Sequence, residues 1–307
     1  MDKKLLLYKD LIENNITEKL NGKSDFPLYD AMNYSMFPGG KRLRGLIILA
    51  VCEAFAGTCV CDSCSWEACS CDIDEFKSAV NFASAIEMIH TYTLIHDDLP
   101  AVDNDDYRRG KKSTHIVYGE AVGIFAGDAL LTKAFEIMLE DSLEDFNKNK
   151  LECMYNISKA VGADGLLEGQ VIDVLSEGKN LDFEILKILQ EKKTSELIRV
   201  SFETGALIGH CDKNKLKDIN IMGKLIGDLF QLKDDILDVT STKKELGKNI
   251  NSDIENKKLT YVTKFGLEKS SEMYEEKSRE VLSRAENIFK KSDFIFFLID
   301  KIINRKN

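Results

Sequence analysis

The stretch FKSAVNFASAIEMIHTYTLIHDDLPAVDNDDYRRG, residues 76–110, contains both the fold signal and the first chemical motif of the chain. Up to position 98 its apolar residues recur every three or four positions without glycine or proline, which predicts one long helix over 76–98. Pro100 ends this helix. The acids of the motif lie there: Asp97, Asp98 and Asp103. Carboxylates at a helix C-terminus oppose the macrodipole, so a divalent cation is their natural compensation.

The same apolar spacing continues outward from this stretch and predicts an all-α fold. Further helices are predicted from about position 44 and over 120–140, 151–175, 184–209, 215–239 and 268–290. The alternation typical of strands is nearly absent, and only 3 prolines interrupt the 307 residues. We therefore predict a single domain over residues 1–307, a helical bundle around a deep central cavity.

A second acidic cluster, Asp234, Asp235 and Asp238, lies within the predicted helix 215–239. Asp234 and Asp238 are four residues apart, so they share one helix face. A solvated acidic face would explain one such cluster. Two clusters in apolar helices, each followed by basic residues, instead indicate magnesium ions that carboxylates share with a diphosphate leaving group.

A glycine turn precedes three cations near the N-terminal end of the pattern. Gly39 and Gly40 are followed by Lys41, Arg42 and Arg44. Backbone amides in such a turn, together with the basic side chains, can form an anion cradle. Basic turns are common, so this motif is weak by itself.

Other basic and polar residues follow the acids. Arg108 and Arg109 come directly after the first cluster, where a salt bridge to Asp105 or Asp106 would be the ordinary role of either arginine. His90 lies two turns before the first cluster on a similar face, a position more often used in packing. Further candidates are Lys193, Thr194, Gln231, Lys248 and Lys258.

Composition limits the classes of function. The net charge of -10 argues against nucleic-acid binding and requires local cations or metal ions at any site for anions. No apolar run is long enough for a signal peptide or a membrane span, so we expect a cytoplasmic protein without membrane insertion. Five of the 8 cysteines crowd residues 59–71, where their spacing could chelate zinc or form an exposed loop of reduced thiols.

Together these motifs resemble the trans-prenyltransferase, or polyprenyl synthase, family. Its two aspartate-rich motifs correspond to Asp97-Asp98-x4-Asp103 and Asp234-Asp235-x2-Asp238. Other matches follow in the family's order: 39–44, 125–131, Gly169-Gln170-x2-Asp173, Lys193-Thr194 and Lys258-x-Thr260-Tyr261. The resemblance spans roughly residues 34–266 and implies the isoprenoid synthase fold and a homodimer. Gly45 stands where the family usually has proline, which we expect to loosen the start of that helix.

The resemblance implies a role for each matched residue. The diphosphate of isopentenyl diphosphate would be held behind the Gly40 turn by Lys41, Arg44, His90 and Arg109. The allylic diphosphate would be bound by Arg108, Lys193 and Lys258, with Lys248 as a further cation. Several Mg²⁺ ions, replaceable by Mn²⁺, would be ligated by Asp97, Asp103 and Asp234, supported by Asp98 and Asp238 in motifs that Asp235 completes. Thr194 and Gln231 would lie near the developing carbocation.

The implied reaction condenses isopentenyl diphosphate with dimethylallyl or geranyl diphosphate by ionisation, condensation and elimination. Tyr92 and Thr93 precede Asp97 by five and four residues, roughly 6–8 Å along the helix axis, where they could set the length of the product. The bulky Tyr92 is similar to the residue in bacterial members that make farnesyl diphosphate, so a fifteen-carbon product is predicted. Packing between helices is the simpler role of Tyr92.

Four alternatives stay open. A geranylgeranyl diphosphate synthase would belong to the same family. A terpene cyclase would leave Lys41, Arg44 and Arg109 without a function. The His96-Asp97 doublet also occurs in HD-type phosphohydrolases. A non-catalytic subunit of a heteromeric synthase would be expected to lose an aspartate motif, and both motifs are intact here.

Overall fold

The computed structural model describes residues 1–22, 25–37, 40–57, 73–176, 182–240, 260–291 and 293–305. Within these ranges the protein is helical except for one two-stranded hairpin, which confirms the predicted all-α class. The chain forms two compact units. One consists of Met1–Met154 with Thr204–His210, and the other of Tyr155–Glu203 with Cys211–Asn307.

The first unit is built around one central helix. Its elements are α1 (Asp2–Lys19), α2 (Leu28–Met36), α3 (Leu43–Ala56), α4 (Ile73–Asp97), β1 (Tyr107–Arg108), β2 (Lys111–Lys112), α5 (Thr114–Tyr118) and α6 (Glu120–Glu144). Helix α4 packs against α1, α3 and α6. Ile86, Met88 and Ile89 of α4 are fully buried, since this helix meets neighbours on several sides. The first acidic motif therefore begins at the end of a rigid core element.

The second unit is organised around a long helix that contains the second acidic motif. Its elements are α8 (Leu166–Ser176), α9 (Phe183–Gln190), a π-helix (Glu191–Ser195), α11 (Lys213–Thr240), α12 (Tyr261–Phe265), α13 (Leu267–Ile288) and α14 (Phe294–Ile303). Two further helices, α7 (Lys148–Val161) and α10 (Glu196–Ile208), contribute residues to both units. Helix α11 packs against α13 and the π-helix.

Most of the predicted helices are confirmed with shifted ends, but one is wrong. The single helix predicted over 151–175 is two helices, α7 and α8, because glycines at 162 and 165 break the apolar pattern. A Cβ at Gly165 would lie 2.2 Å from the carbonyl oxygen of Ala160, so only glycine fits this tight connection. The region predicted as 184–209 is helical but includes the π-helical turn.

Some expectations fall on parts of the chain without a description. The cysteine-rich segment 59–71 lies outside the described residues, as do Gly39, Lys248 and Lys258. Within the described ranges, no helix combines the length and apolar character needed to cross a membrane.

Close packing of α6 on the end of α4 depends on a glycine. A Cβ at Gly127 would lie 2.2 Å from Nε2 of His96. The His96 ring packs edge-on against Tyr92 with centroids 5.6 Å apart, and its Nε2 lies 3.1 Å from the carbonyl oxygen of Ile124. The 125–131 motif therefore has a packing function beside the first acidic cluster.

Replacing Gly127 with alanine should lower the free energy of unfolding by about 1–3 kcal/mol, because the His96 ring must leave its site. Gly123→Ala on the same helix is the matched control. Its Cβ would meet its nearest neighbours at 3.4–3.5 Å, an ordinary contact, and alanine favours the helix. Chemical denaturation measures both variants, and equal stabilities would contradict the close approach at Gly127.

Candidate active site

The first acidic motif combines buried and exposed carboxylates. Asp97 and Asp98 are 8% and 3% exposed, whereas Asp103 is exposed. The loop after α4 folds back on the helix end, where the amide of Asp103 donates to the carbonyl of Asp97 at 2.9 Å and that of Asp105 to the carbonyl of Asp98 at 3.2 Å. These bonds satisfy carbonyls that a helix end leaves without partners. The loop thereby holds the backbone of Asp103 against the C-terminal end of α4.

Arg108 compensates the most deeply buried acid of this motif. Its Nε donates to Oδ1 of Asp98 at 2.8 Å, its Nη2 donates to the same oxygen, and Nη2 also lies 3.5 Å from Oδ2 of Asp105. Burial raises the pKa of Asp98, Arg108 opposes this effect, and the carboxylates of Asp105 and Asp103 add to it. The carboxylates at this end of α4 therefore repel one another, and a further cation would relieve that repulsion. The salt bridge predicted between an arginine and Asp105 is confirmed for Arg108.

The hairpin after the motif presents two consecutive arginines. Strand residues Tyr107 and Lys112 pair, as do Arg108 and Lys111, which leaves Arg109 and Gly110 as the two turn residues. Both have positive φ angles, 52° and 76°, as in a type I′ turn. The turn thus separates the directions of the two arginines.

Arg109 lies against the basic turn that precedes α3. A Cβ built on Gly40 would be 2.9 Å from Nη1 of Arg109, so a larger residue at position 40 would push the guanidinium away. Gly40 therefore lets the hairpin approach this turn closely. The exposed side chain of Lys41 follows at once.

Arg44 and His90 lie within electrostatic reach of Arg109. We define these three residues, with Lys41 from the same basic turn, as the cationic pocket of the first unit. Nε of Arg44 is buried, and none of the described residues offers it a hydrogen-bond acceptor. Burial lowers the pKa of Arg44, Glu87 opposes this effect and Arg109 adds to it. A buried donor without an acceptor is costly. An anion bound in the pocket could satisfy it.

His90 is neutral in this environment. Burial holds its pKa well below the usual 6.5, and arginines lower it further. These arginines are Arg44, Arg109, Arg108 and Arg42. A neutral imidazole can donate one hydrogen bond to an anion without adding charge.

Arg42, the one cation of the 39–44 motif to which the resemblance assigned no substrate, has a structural function. It is 2% exposed, its Nη2 donates to the carbonyl of Met36 at 2.7 Å, and its Nε donates to Oε1 of Glu13 at 3.3 Å. It holds the start of α3 against α1 and α2, so two of the three cations in the 39–44 motif remain for an anion.

Glu87 is a site residue that sequence reasoning missed. Its Oε1 accepts a hydrogen bond from the amide of Gly45 at 2.9 Å, and the residue is 4% exposed. A proline at position 45 has no amide hydrogen to donate. The helix start that we expected to be loosened by Gly45 is therefore held by Glu87. An acid within an otherwise apolar helix face, one turn before His90, was the available signal.

Tyr92 and Thr93 are both buried on α4, at 3% and 7% exposure. The Tyr92 hydroxyl has no hydrogen-bond partner among the described residues, and burial followed by the charge of Asp97 raises its pKa to about 12. Thr93 Oγ1 donates to the carbonyl of His90 at 2.7 Å. The contact of Tyr92 with His96 agrees with a packing role, whereas its hydroxyl without a partner fits a group beside a cavity.

In the second unit, the π-helix holds the predicted pair Lys193 and Thr194. Such turns are frequent at functional sites. Nζ of Lys193 lies 2.5 Å from Oδ2 of Asp173 on α8. A Cβ at Gly169 would lie 2.8 Å from the amide nitrogen of Lys193, so this glycine brings α8 close to the π-helix. The Gly169-Gln170-x2-Asp173 motif therefore supports Lys193.

A chain of hydrogen bonds connects the π-helix to the second acidic motif. Thr194 Oγ1 donates to Oε1 of Gln231 at 3.3 Å, and Gln231 Nε2 donates to Oδ1 of Asp235 at 3.0 Å. Oδ2 of Asp235 accepts from the amide of Tyr261 at 3.0 Å. Asp235 is 2% exposed and fixes the beginning of α12. Its observed contacts are structural, although the sequence grouped it with the catalytic acids.

Asp234 and Asp238 differ from Asp235 in their surroundings. The side chain of Asp234 is 43% exposed and pairs with Arg305 at 2.8 Å, whereas Asp238 is 2% exposed. Their spacing puts them on one face of α11. The second motif thus has one accessible carboxylate and one buried carboxylate on a common face.

The donors fit magnesium better than softer metals. Carboxylate oxygens are hard ligands, and Mg²⁺ is usually bound by one or two carboxylates, water and substrate phosphates. Among the residues that the structure describes, no three His, Cys, Asp or Glu side chains converge on one metal position.

Comparison with known proteins agrees with this chemistry. A sequence model described as polyprenyl synthetase matches residues 26–295. The chain is 37% identical to the farnesyl diphosphate synthase of Micrococcus luteus over 99% of each chain. It is 35% identical to the geranylgeranyl diphosphate synthase of Cyanophora paradoxa over 97% of this chain and 94% of that protein.

The fold also matches solved structures. The geranyltransferase from Helicobacter pylori complexed with magnesium and isoprenyl diphosphate has a TM-score of 0.78 to this chain. The two are 29% identical, and the match covers 98% of this chain and 96% of the other.

The neutral state of His90 should make the protein sensitive to acid. Below pH 6.5 the unfolded chain binds a proton at this histidine that the folded chain does not, so stability falls as the pH falls. We expect His90→Gln to lose part of the decrease in stability between pH 7.5 and pH 5.5, as measured by chemical denaturation.

His210→Asn is the control for this measurement, because His210 is exposed. Asparagine tolerates the positive φ of 59° at that position. The control should keep the full pH dependence. A His90→Gln variant that is as acid-sensitive as the unmodified protein would show that His90 takes up its proton when folded.

Proposed function

The chain belongs to the polyprenyl synthetase family, and from this premise we propose that it is a short-chain trans-prenyl diphosphate synthase. It would condense isopentenyl diphosphate with dimethylallyl or geranyl diphosphate. The observation that carries this proposal is the cationic pocket of the first unit, where a buried Arg44 donor without a partner adjoins a neutral His90. A diphosphate would satisfy these donors.

We assign this pocket to isopentenyl diphosphate, the substrate that keeps its diphosphate during the reaction. Lys41, Arg44 and Arg109 would supply positive charge, and His90 a neutral hydrogen bond. Gly40 makes room for Arg109, and Glu87 holds the helix start beside Arg44. A terpene cyclase has no second diphosphate to bind, so the pocket favours prenyl transfer.

Asp97, Asp103 and Asp234 would hold Mg²⁺, with Asp98 and Asp238 in support. When bound, magnesium would neutralise the diphosphate that leaves the allylic substrate. Asp98 is oriented by Arg108, and this arginine together with Lys193 would bind the allylic diphosphate directly. Lys258 and Lys248 are proposed for the same task from the sequence alone. Mn²⁺ could take the place of magnesium.

The other residues of the second unit would act on the developing carbocation. The hydrogen bond from Thr194 to Gln231, and that from Gln231 to Asp235, hold these polar groups in fixed orientations. Fixed dipoles stabilise a developing charge without reorganising. The closing proton loss would go to the departing pyrophosphate, since the motifs contain no obvious side-chain base.

We propose farnesyl diphosphate as the product, with Tyr92 as the group that limits its length. Support comes from the burial of Tyr92 below Asp97 and from the Micrococcus luteus relative. The Cyanophora paradoxa relative makes geranylgeranyl diphosphate synthase the second candidate. Product size separates the two.

We further propose that the protein acts as a homodimer and as one functional domain. One family model spans residues of both compact units, which supports a single domain. Helix α6 exposes several large apolar side chains, a feature typical of protein interfaces: Ile124, Phe125, Leu139 and Leu143. The mass of the protein in solution tests this assignment, and a monomer would contradict it.

The direct test of function is a product assay with the purified protein. Magnesium, labelled isopentenyl diphosphate and dimethylallyl or geranyl diphosphate are incubated together, and the dephosphorylated products are sized. The protein should form a fifteen-carbon alcohol, and Tyr92→Ala should shift the products to twenty carbons or more because the pocket deepens.

Tyr92→Phe is the matched control, since it keeps the bulk and removes only the hydroxyl group. It should leave the length of the product unchanged. A twenty-carbon product from the unmodified protein would replace farnesyl with geranylgeranyl diphosphate. No condensation under these conditions would contradict the proposed reaction.

A further inference from the structure

Arg305 lies directly on the second acidic motif, although no sequence motif pointed to it. Helix α14 precedes it and buries most of its apolar side chains, among them Leu298, Ile299 and Ile302. The Tyr274 hydroxyl of α13 donates to the carbonyl of Ile303 at 2.5 Å. The backbone is therefore anchored two residues before Arg305.

Three interactions hold the Arg305 guanidinium on α11. Nη2 donates to Oδ1 of Asp234 at 2.8 Å and to the carbonyl of Phe230 at 2.5 Å. The guanidinium also lies 3.7 Å from the centre of the Phe230 ring. The side chain is only 10% exposed, and within the described part of the chain its buried Nε has no hydrogen-bond partner. The Arg305 guanidinium is therefore held by several interactions at once. An exposed ion pair alone would contribute little to stability.

The contact occupies an oxygen that the proposed function needs. Asp234, Asp235 and Asp238 place three acids within two turns of α11. Asp235 receives donors from Gln231 and Tyr261, whereas Asp234 receives the positive charge of Arg305. A divalent cation and this guanidinium compete for the same carboxylate because like charges exclude each other at contact distance.

We propose that Arg305 is the resident counter-ion of Asp234, a positioning residue that holds the carboxylate in the metal-free protein and weakens divalent-cation binding there. The inference rests on the proposed function in one respect, the ligation of metal by Asp234. A metal ion that binds Oδ1 of Asp234 must displace Arg305 from that oxygen. Arg305 thus sets the metal concentration at which the second motif is filled.

The test is a titration of the purified full chain with Mn²⁺ alone, followed by the electron paramagnetic resonance signal of the free ion. Arg305→Ala should bind Mn²⁺ several-fold more tightly than the unmodified protein, because a cation that competes for the Asp234 carboxylate is removed. Arg305→Gln should behave in the same way if alanine disturbs folding, since it keeps a donor and the approximate length.

Arg284→Ala is the matched control. Arg284 pairs with Glu280 on α13, at 2.9 Å, with both side chains partly exposed. This variant changes the net charge by the same amount, so any general effect of charge appears in it too. Mn²⁺ affinity should be unchanged in Arg284→Ala. A purely structural role of Arg305 would leave affinity unchanged or reduce it, and either result overturns the proposal.

Asp234→Asn separates this inference from the assignment on which it depends. Loss of Mn²⁺ binding in Asp234→Asn, together with unchanged binding in Arg305→Ala, overturns only the counter-ion role. Unchanged binding in Asp234→Asn shows that Asp234 is not a ligand, which overturns both statements. Weaker binding in Asp234→Asn with tighter binding in Arg305→Ala supports both.

Discussion

Like charges that are buried together need compensation, and both acidic motifs of this protein are built around that constraint. Asp98 at the end of α4 is neutralised by Arg108, and Asp234 on α11 by Arg305. In both places an arginine supplies part of the charge that the carboxylates require. The remaining negative charge, with hard oxygen ligands, suits magnesium brought by a diphosphate. The cationic pocket of the first unit is the complementary case, since its donors require an anion.

Much of the fold could be predicted from the apolar pattern, since burial on one face produces a helical period that is visible in the sequence. Helix α4 is the clearest example. The error at 151–175 arose because the prediction ran through Gly162 and Gly165, which interrupt the apolar pattern, and the close approach of Gly165 to Ala160 shows why the helix breaks there. The π-helix at Glu191–Ser195 has no periodic signal, because one widened turn depends on its packing against neighbours.

The sequence predicts which types of residue form the site. It does not predict which task each of several similar residues performs. Arg42 and Arg44 are two positions apart. Arg42 donates to the carbonyl of Met36, whereas Nε of Arg44 finds no acceptor among the described residues. Asp235 resembles its neighbours in the motif, but its oxygens accept from other protein groups. Glu87 and Arg305 carry no motif, and only their contacts reveal them. Tertiary contacts, which pair distant residues, decide these roles.

We propose two diphosphate sites of different chemistry, one made of cations and one that requires metal. Isothermal titration calorimetry tests this proposal with isopentenyl diphosphate and with an unreactive geranyl thiodiphosphate, each with magnesium and with a chelator. We expect isopentenyl diphosphate to bind in both conditions and the allylic analogue to bind only with magnesium. Metal-free binding of the allylic analogue, or binding of isopentenyl diphosphate that requires magnesium, would contradict it.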